Sequence, residues 1–182
     1  MQWSLRRATR ADAGRLAASV SEAFESYRGF APAAWEPPAA ERELALLDDG
    51  LARDDVWCLL AEAEGELAGH VSIRAAATAS FASPEPGLAH LWQLFVRPAW
   101  HGSGLAVQLH REAVREAGER GFTTMRLFAA AGQARARRFY EREGWVAAGP
   151  PFELSGFGLP VVEYRLPTTL PASGPPRGSS SA

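Results

Sequence analysis

The sequence predicts an α/β domain in which a central mixed β-sheet is flanked by about four helices. Two observations carry this prediction. First, short runs of strand type alternate along the chain with runs whose apolar residues recur at the spacing of an amphipathic helix. Second, the resulting order, β-α-α-β-β-β-α-β-α-β-β, allows parallel and antiparallel neighbours within one sheet. At 182 residues, of which 47% are hydrophobic, the chain is long enough for one domain with a substantial core.

The first three elements follow from the spacing of apolar residues. Residues 3–8 are predicted to form a short strand with Trp3 and Leu5 on one face. Two amphipathic helices are predicted next, over residues 10–26 and residues 40–51. Their apolar positions are Leu16, Val20 and Phe24 in the first helix, and Leu44, Leu47 and Leu51 in the second.

The segment between these two helices is rich in aromatic residues and proline. Tyr27, Phe30 and Trp35 lie in it, outside any predicted helix or strand. Aromatic side chains on such a loop either pack back onto the domain or line a pocket for a small molecule. Both interpretations stay open at this point.

The middle of the chain supplies a hairpin and the longest predicted strand. Residues 56–63 and 66–74 are predicted to form two strands, and Glu64-Gly65 between them is typical of a tight turn. A small, polar loop then leads to a strand over residues 88–96. The remaining elements are a helix at 103–120, a strand at 124–129, a helix at 133–143 and strands at 145–147 and 161–166.

A glycine-containing turn joins the strand at 88–96 to the helix that follows. Gly102 and Gly104 let the backbone bend without a Cβ in the way, so that several N–H groups can face one point. The start of a helix adds unpaired donors and the positive end of its dipole. The segment therefore predicts a site for a phosphate or a pyrophosphate.

Three segments in this half of the chain resemble the signature of the GNAT superfamily of N-acetyltransferases. They are the strand Leu91 to Pro98, the hexapeptide His-Gly-Ser-Gly-Leu-Ala at 101–106, and the pattern Gln-x-x-Ala-x-x-Phe-Tyr-x-x-x-Gly-Trp from Gln133. Two positions depart from the family pattern: His101 stands where Arg or Gln is usual, and Gln133 where Asn is usual.

The resemblance implies the GNAT-like acyl-CoA N-acyltransferase fold and acetyl-CoA as the cosubstrate. In that family the central strand separates from its neighbour near a bulge, and its free backbone groups hold the pantetheine arm. The turn at 101–106 would hold the pyrophosphate. The residues expected to bind acetyl-CoA are therefore Leu94, Phe95, Val96, His101, Gly102, Ser103, Gly104, Leu105, Ala106 and Gln133.

The implied reaction is direct attack of an amine on the acetyl carbonyl, which needs a base and an acid. Tyr140 is the expected acid, because the corresponding tyrosine lies near the CoA sulfur in many family members; the alternative is a packing tyrosine. His90 is the expected base, with a purely structural histidine as the alternative. Strand alternation would put His90, Trp92 and Leu94 on one face, so Trp92 is expected in the acceptor pocket with Tyr27, Phe30 and Trp35.

Composition excludes several other functions. A net charge of -2 argues against non-specific binding to nucleic acid or to an anionic membrane. The one cysteine, Cys58, excludes an internal disulfide and fits a reducing, cytoplasmic location. Four scattered histidines support no metal site. Arginine in place of lysine, with abundant alanine, glycine and proline, is typical of a GC-rich, bacterial coding sequence.

The sequence thus predicts an N-acetyltransferase domain at residues 1–166 and a disordered tail rich in proline, serine and glycine at 167–182. The expected acceptor is the primary amine of a small molecule. A protein acetyltransferase acting on an N-terminus or a lysine, and a non-catalytic acyl-CoA-binding domain, are the alternatives. The sequence leaves the oligomeric state open, a homodimer included.

Overall fold

The elements follow the predicted order, with one short strand more. The computed structural model describes residues 2–168. Its α-helices are α1 (Ala13–Glu25), α2 (Ala40–Leu51), α3 (Leu105–Glu119) and α4 (Ala134–Arg142). Its strands are β1 (Ser4–Arg7), β2 (Trp57–Ala63), β3 (Glu66–Ala75), β4 (Leu88–Val96), β5 (Thr124–Ala130), β6 (Val146–Ala147), β7 (Phe152–Glu153) and β8 (Pro160–Pro167).

All eight strands belong to one sheet, in the order β1-β2-β3-β4-β5-β8-β6, with β7 paired to β8. Only β4 and β5 pair in parallel; the other pairs are antiparallel. The predicted mixed sheet with four helices is therefore confirmed. Strand β7 was missed, because two residues within a loop rich in proline and glycine carry no periodic signal.

Helices cover both faces of the sheet. Helices α1 and α2 enclose one core cluster, in which Leu16, Val20 and Leu47 pack against Leu60 of β2. Cys58 lies in the same cluster, and burial raises the pKa of its thiol to about 12, so it acts as a small core residue. Helices α3 and α4 contribute to the other cluster, on the opposite face; its buried members from these helices are Leu105, Leu109, Ala113, Ala117 and Tyr140.

A bulge interrupts β4 in its middle. Against β3, Ser72 pairs with Gln93 but Ile73 pairs with Leu91, so Trp92 is the extra residue. The prediction that His90, Trp92 and Leu94 share a face is therefore wrong, because the bulge inverts the alternation beyond it. Leu94 packs with the α3 side of the core, whereas Trp92 packs with the α1 and α2 side.

The same strand separates from its other neighbour. Pairing between β4 and β5 begins at Leu88 with Thr124 and ends at His90 with Arg126. Beyond that point, the edge of β4 that faces β5 carries backbone groups without a strand partner. The sheet therefore opens at its centre, as the resemblance implied.

The last strand, β8, ends one residue later than predicted. Strand β8 runs to Pro167, which pairs with Thr124, and Thr168 donates from its amide to the carbonyl of Thr123. The rest of the predicted tail, residues 169–182, lies outside the described residues. Among the helices within residues 2–168, none is both long enough and apolar enough to cross a membrane.

Candidate active site

Two cavities lie along the second half of β4, where the sheet opens. The larger one, of about 630 Å³, lies between α1, β4 and α4. The smaller one, of about 200 Å³, lies between α2, β3, β4 and the loop before β8. Tyr27 and Phe95 line both cavities, so the two spaces meet at these side chains.

The larger cavity is lined by half of the residues that were predicted to bind the cosubstrate. Leu94, Phe95 and Val96 line it from β4, and Gln133 lines it from the residue before α4. These β4 residues bond to β3 along one edge only, because the opposite edge has left β5. A ligand in this cavity can therefore bond to the backbone as an added strand would.

The turn at residues 101–106 begins α3 with a set of free amides. Gly102 and Gly104 adopt φ of +81° and +91°, a region that disfavours residues with a Cβ. Within residues 2–168, the amides of Gly102, Gly104, Ala106 and Val107 donate to no acceptor. The amide of Leu105 contacts the hydroxyl of Ser103, and its side chain lies in the core. Together with the helix dipole, this arrangement favours an anion.

His101 connects this turn to β4. Its Nε2 donates to the carbonyl oxygen of Val96 at 2.8 Å, and its Nδ1 accepts from Nη1 of Arg135 at 2.5 Å. Both ring nitrogens are thus occupied within the protein. At the position where the family pattern has Arg or Gln, His101 thus binds Arg135, which brings a positive charge beside the turn.

Arginines dominate the charged lining of the larger cavity. Arg97 pairs with Glu22 at 3.2 Å, and Glu22 is the only carboxylate among the lining residues that the structure describes. Arg137, in contrast, donates to the hydroxyl of Tyr164 and does not line the cavity. The excess positive charge suits a polyanionic ligand. The lining arginines are Arg97, Arg135, Arg138 and Arg142.

Tyr140 projects from α4 into the larger cavity. Its ring is buried against Phe139 and Trp145, with edge-to-face contacts at 5.3 and 5.9 Å between ring centroids. Its hydroxyl bonds to no residue of the described part of the chain, although it lines the cavity. Burial raises the pKa of this hydroxyl above its usual value, and Tyr27 adds to the effect. Tyr140 therefore stays protonated and can donate to a ligand.

The aromatic residues of the segment between α1 and α2 separate into three positions. Tyr27 stands where the cavities meet, and burial raises its pKa to about 12. Phe30 lines only the larger cavity. Trp35 lines neither, because its ring is buried behind Tyr27 and its Nε1 donates to the carbonyl of Phe157 at 3.0 Å.

His90 lines the smaller cavity together with Trp92. It is buried, with 6% of its surface exposed, and its Nδ1 has no partner among residues 2–168. Burial, followed by the charges of Arg126 and Arg74, lowers its pKa to about 3. The ring is therefore neutral at ordinary pH, and it is a weak proton acceptor.

Two charged residues of the smaller cavity were not singled out from the sequence. Glu43, in the first turn of α2, is buried, and burial raises its pKa above the usual value. Arg74, on β3, pairs across the sheet with His90. In the sequence, each is one charged residue within an amphipathic or alternating pattern, which ordinarily indicates a solvated face. Their burial depends on packing that no local pattern records.

The other buried histidines serve the structure. Nε2 of His70 donates to Oε1 of Gln93 at 3.3 Å, and Nε2 of His110 accepts from Nε1 of Trp145 at 2.8 Å. Throughout the part of the chain that the structure describes, no group of His, Cys, Asp and Glu is arranged to hold a metal ion.

Structures similar to this one are acetyltransferases or share their fold. A GNAT-family protein from Desulfovibrio desulfuricans superposes with a TM-score of 0.69 at 23% identity, covering 92% of this chain and 100% of its own. YncA from Salmonella typhimurium, solved with acetyl-CoA as its cofactor, gives 0.66 at 18% identity, over 97% and 99% of the two chains. The ribosomal-protein-alanine N-acetyltransferase of Brucella melitensis gives 0.67 at 23%, over 90% and 99%.

At these low identities, the structural similarity establishes only the fold. Membership of a family is established by the sequence. No curated protein matches the chain. The family model described as "Acetyltransferase (GNAT) family" matches residues 20–145, which include the opened strand, the glycine turn and Tyr140. The chain therefore belongs to the GNAT family of acetyltransferases.

Proposed function

We propose that the protein transfers an acetyl group from acetyl-CoA to the primary amine of a small molecule, by direct attack within a ternary complex. The observation that carries this proposal is the meeting of two cavities at Tyr27 and Phe95. A donor in one cavity and an acceptor in the other would bring their reacting groups together at this junction. The smaller cavity, of about 200 Å³, favours a small acceptor over a protein segment.

The larger cavity provides three features that a pantetheine chain and a pyrophosphate require. The free edge of β4 offers backbone partners to the amides of pantetheine. The free amides at the start of α3 follow His101 of the cavity lining and would suit a pyrophosphate. Arg135, oriented by His101, adds a positive charge beside that turn. Each is a property of this chain, and together they support acetyl-CoA as the donor.

Tyr140 is the proposed acid. When the amine forms its bond to the acetyl carbon, the bond from that carbon to sulfur breaks, and the thiolate needs a proton. The Tyr140 hydroxyl is protonated and has no partner in the described protein, so its proton is available to the thiolate, although burial makes it a weaker acid. A backbone N–H on the free edge of β4 is the proposed donor to the oxyanion.

Glu43 is a better candidate for the base than His90. Both line the smaller cavity, where the incoming amine would lie. Burial raises the pKa of Glu43 toward neutrality but lowers that of His90 to about 3, so Glu43 holds a proton more readily. His90 as base, directly or through water, stays a prediction, and a paired substitution described in the Discussion separates the two.

A protein acceptor is the second candidate, because the Brucella melitensis ribosomal-protein-alanine N-acetyltransferase shares the fold over nearly its full length. The charged and aromatic lining of the smaller cavity favours the small molecule. The lone cysteine supports a reducing, cytoplasmic location.

The test is release of free CoA thiol from acetyl-CoA in the presence of a panel of small amines, with each product identified by mass spectrometry. We expect at least one small amine to gain the mass of an acetyl group. A peptide N-terminus that is acetylated far faster than every small amine would favour the protein acceptor. Failure of the protein to bind acetyl-CoA in calorimetry would refute the proposed donor.

A further inference from the structure

Arg74 is a buried arginine that lines the smaller cavity without an ionic partner. Only 8% of the surface of Arg74 is exposed, and its Nε has no hydrogen-bond partner within residues 2–168. It forms no ion pair with any described carboxylate; its guanidinium lies 5.3 Å from the ring centroid of Trp92. A buried guanidinium is costly unless an anion or several acceptors satisfy it. Asp55 and Asp49 act on the guanidinium electrostatically, but neither bonds to it, nor does any other described residue.

Among the described residues that line this end of the cavity, none is a carboxylate. His90 lies opposite Arg74 on β4; its ring is neutral, and its Nδ1 is also unpartnered in the described part of the chain. The aromatic rings of Trp92 and Phe128 line the same end and carry no charge. Arg126, on β5, contacts the carbonyl of Phe81 and does not line the cavity. A carboxylate entering here would therefore meet the guanidinium of Arg74.

The opposite charge lies elsewhere on the same cavity. Glu43 on α2 is buried and lines the cavity, and neither Arg74 nor any other described residue pairs with it. The two charged residues reach the cavity from different elements, β3 and α2, and form no ion pair with each other. The lining also includes Arg42 and the aromatic rings of Phe24, Tyr27, Phe81, Trp92, Phe95, Phe128 and Phe157.

We propose that the acceptor is an amino acid or a closely similar zwitterion, whose carboxylate is bound by Arg74 and whose amine faces Glu43 and the junction at Tyr27. This inference rests on the proposed function and specifies its substrate class. The carboxylate satisfies the guanidinium that the protein leaves without a partner. The aromatic lining suits an apolar side chain.

The reaction on this substrate balances without a further reactant. The ammonium loses one proton to Glu43, and the free amine forms a C–N bond to the acetyl carbon. The nitrogen then loses its second proton to solvent as the amide forms. The C–S bond breaks, and the departing thiolate takes a proton from Tyr140. The proton held by Glu43 returns to solvent, and the tyrosine is reprotonated from solvent. The products are an N-acetyl amino acid and CoA.

The experiment compares matched acceptors that differ only at the carboxyl group. For leucine, methionine and phenylalanine, the free amino acid, its primary amide and its decarboxylated amine are each assayed with acetyl-CoA. A charge-assisted hydrogen bond to Arg74 should make kcat/KM about 10- to 100-fold higher for the acid than for the amide. Equal values for acid and amide, or a preference for the amide, would overturn the inference while leaving the acetyltransferase proposal intact.

Substitution of Arg74 attributes the preference to this residue. In Arg74→Met, the acid should lose that advantage, whereas the amide should keep its rate to within a few-fold. Arg74→Lys should retain part of the advantage, because the charge stays but the planar fork is lost. Arg115→Gln, an exposed position on α3, is the matched control and should leave every ratio unchanged. A full preference for the acid in a folded Arg74→Met protein would also overturn the inference.

A binding measurement separates failure of this inference from failure of the proposed function. The acid and the amide are titrated calorimetrically into wild-type and Arg74→Met protein saturated with CoA, where no transfer occurs. Binding of the acid that is lost in Arg74→Met supports the carboxylate site even if no acceptor is acetylated. Absence of any selective binding of the acid would refute the site, whatever the transferase assays show.

Discussion

The side chain of Tyr140 combines a buried ring with a hydroxyl that reaches the larger cavity and finds no partner in the described protein. Burial of a tyrosine hydroxyl normally brings it a hydrogen bond, because an unpaired polar group is costly. Here, burial also raises the pKa of the hydroxyl, so it stays protonated. The sequence predicted this residue from its flanking motif; only the structure shows its unpartnered hydroxyl.

Tyr140→Phe keeps the ring and removes only the hydroxyl. We expect the chemical step to slow by about 10²- to 10⁴-fold, the usual effect of losing a positioned acid. The low end is favoured because a free thiol has a pKa near 8.5, so its thiolate can leave unaided. Single-turnover kinetics is the measurement, with acetyl-CoA affinity and melting temperature as controls that should change little. An unchanged chemical step would make Tyr140 a packing residue.

Glu43 and His90 can be compared directly, since both line the smaller cavity. Glu43→Gln should lower the rate near neutral pH by about 10²-fold, and the loss should shrink at high pH, where free amine is abundant. His90→Gln should lower it much less, because a histidine with a pKa near 3 is a weak base. Rate profiles from about pH 6 to about pH 10 distinguish them. The reverse order of effects would assign the base to His90.

At the scale of single elements, β4 and the turn after it define the site. The bounds of β4 were predictable, because its apolar run ends at a proline. The resemblance implied a bulge near this strand, but not the residue at which it lies. Residues on both faces are apolar or buried, so alternation gives no signal of register. The role of the two glycines of the turn was predictable, because a tight turn favours residues without a Cβ. In the structure both adopt a positive φ, which glycine tolerates.

Gly104→Ala tests the turn, and Gly121→Ala is its matched control. Both glycines have positive φ, +91° and +82°; one precedes α3 and the other follows it, and an added Cβ would meet no atom within 4 Å at either. Each alanine should therefore cost a similar free energy of unfolding, about 1–2 kcal/mol. Acetyl-CoA affinity, measured by calorimetry, should fall at least about 10-fold only in Gly104→Ala, because only that Cβ obstructs a phosphate. Equal affinities in both variants would place the pyrophosphate elsewhere.

For the whole molecule, the sequence predicted the order of elements but not the charges that they bring together. Arg74 and Glu43 come from β3 and α2, distant in sequence, and meet one cavity only after the sheet and helices have packed. A charged residue in an otherwise periodic segment normally indicates solvent, which is why neither was recognised. Trp35 shows the converse: an aromatic residue on a loop was expected in the pocket, yet it is buried behind it.

The molecule as a whole also buries three histidines in neutral form. Burial lowers the pKa of His70 and His110 from 6.5 to about 4, and that of His90 to about 3. Between those values and 6.5 the unfolded chain binds more protons than the folded one. As far as these histidines are concerned, the free energy of unfolding is therefore highest above pH 6.5. It declines as the pH falls from 6.5 toward about 4, by up to about 1.4 kcal/mol per pH unit for each histidine.

Urea unfolding at intervals from about pH 7.5 to about pH 4.5 measures this decline. The pKa of Asp55, about 2, places the loss of its contribution below this window. The raised pKa of Glu43 opposes the histidines within the window, so the test compares each histidine variant with the wild type. His70→Gln and His110→Gln should each be less stable than the wild type near neutral pH but should lose about a third less stability on acidification, because one of three neutral histidines is gone. Variant slopes equal to that of the wild type would show that these histidines are not what limits stability in acid.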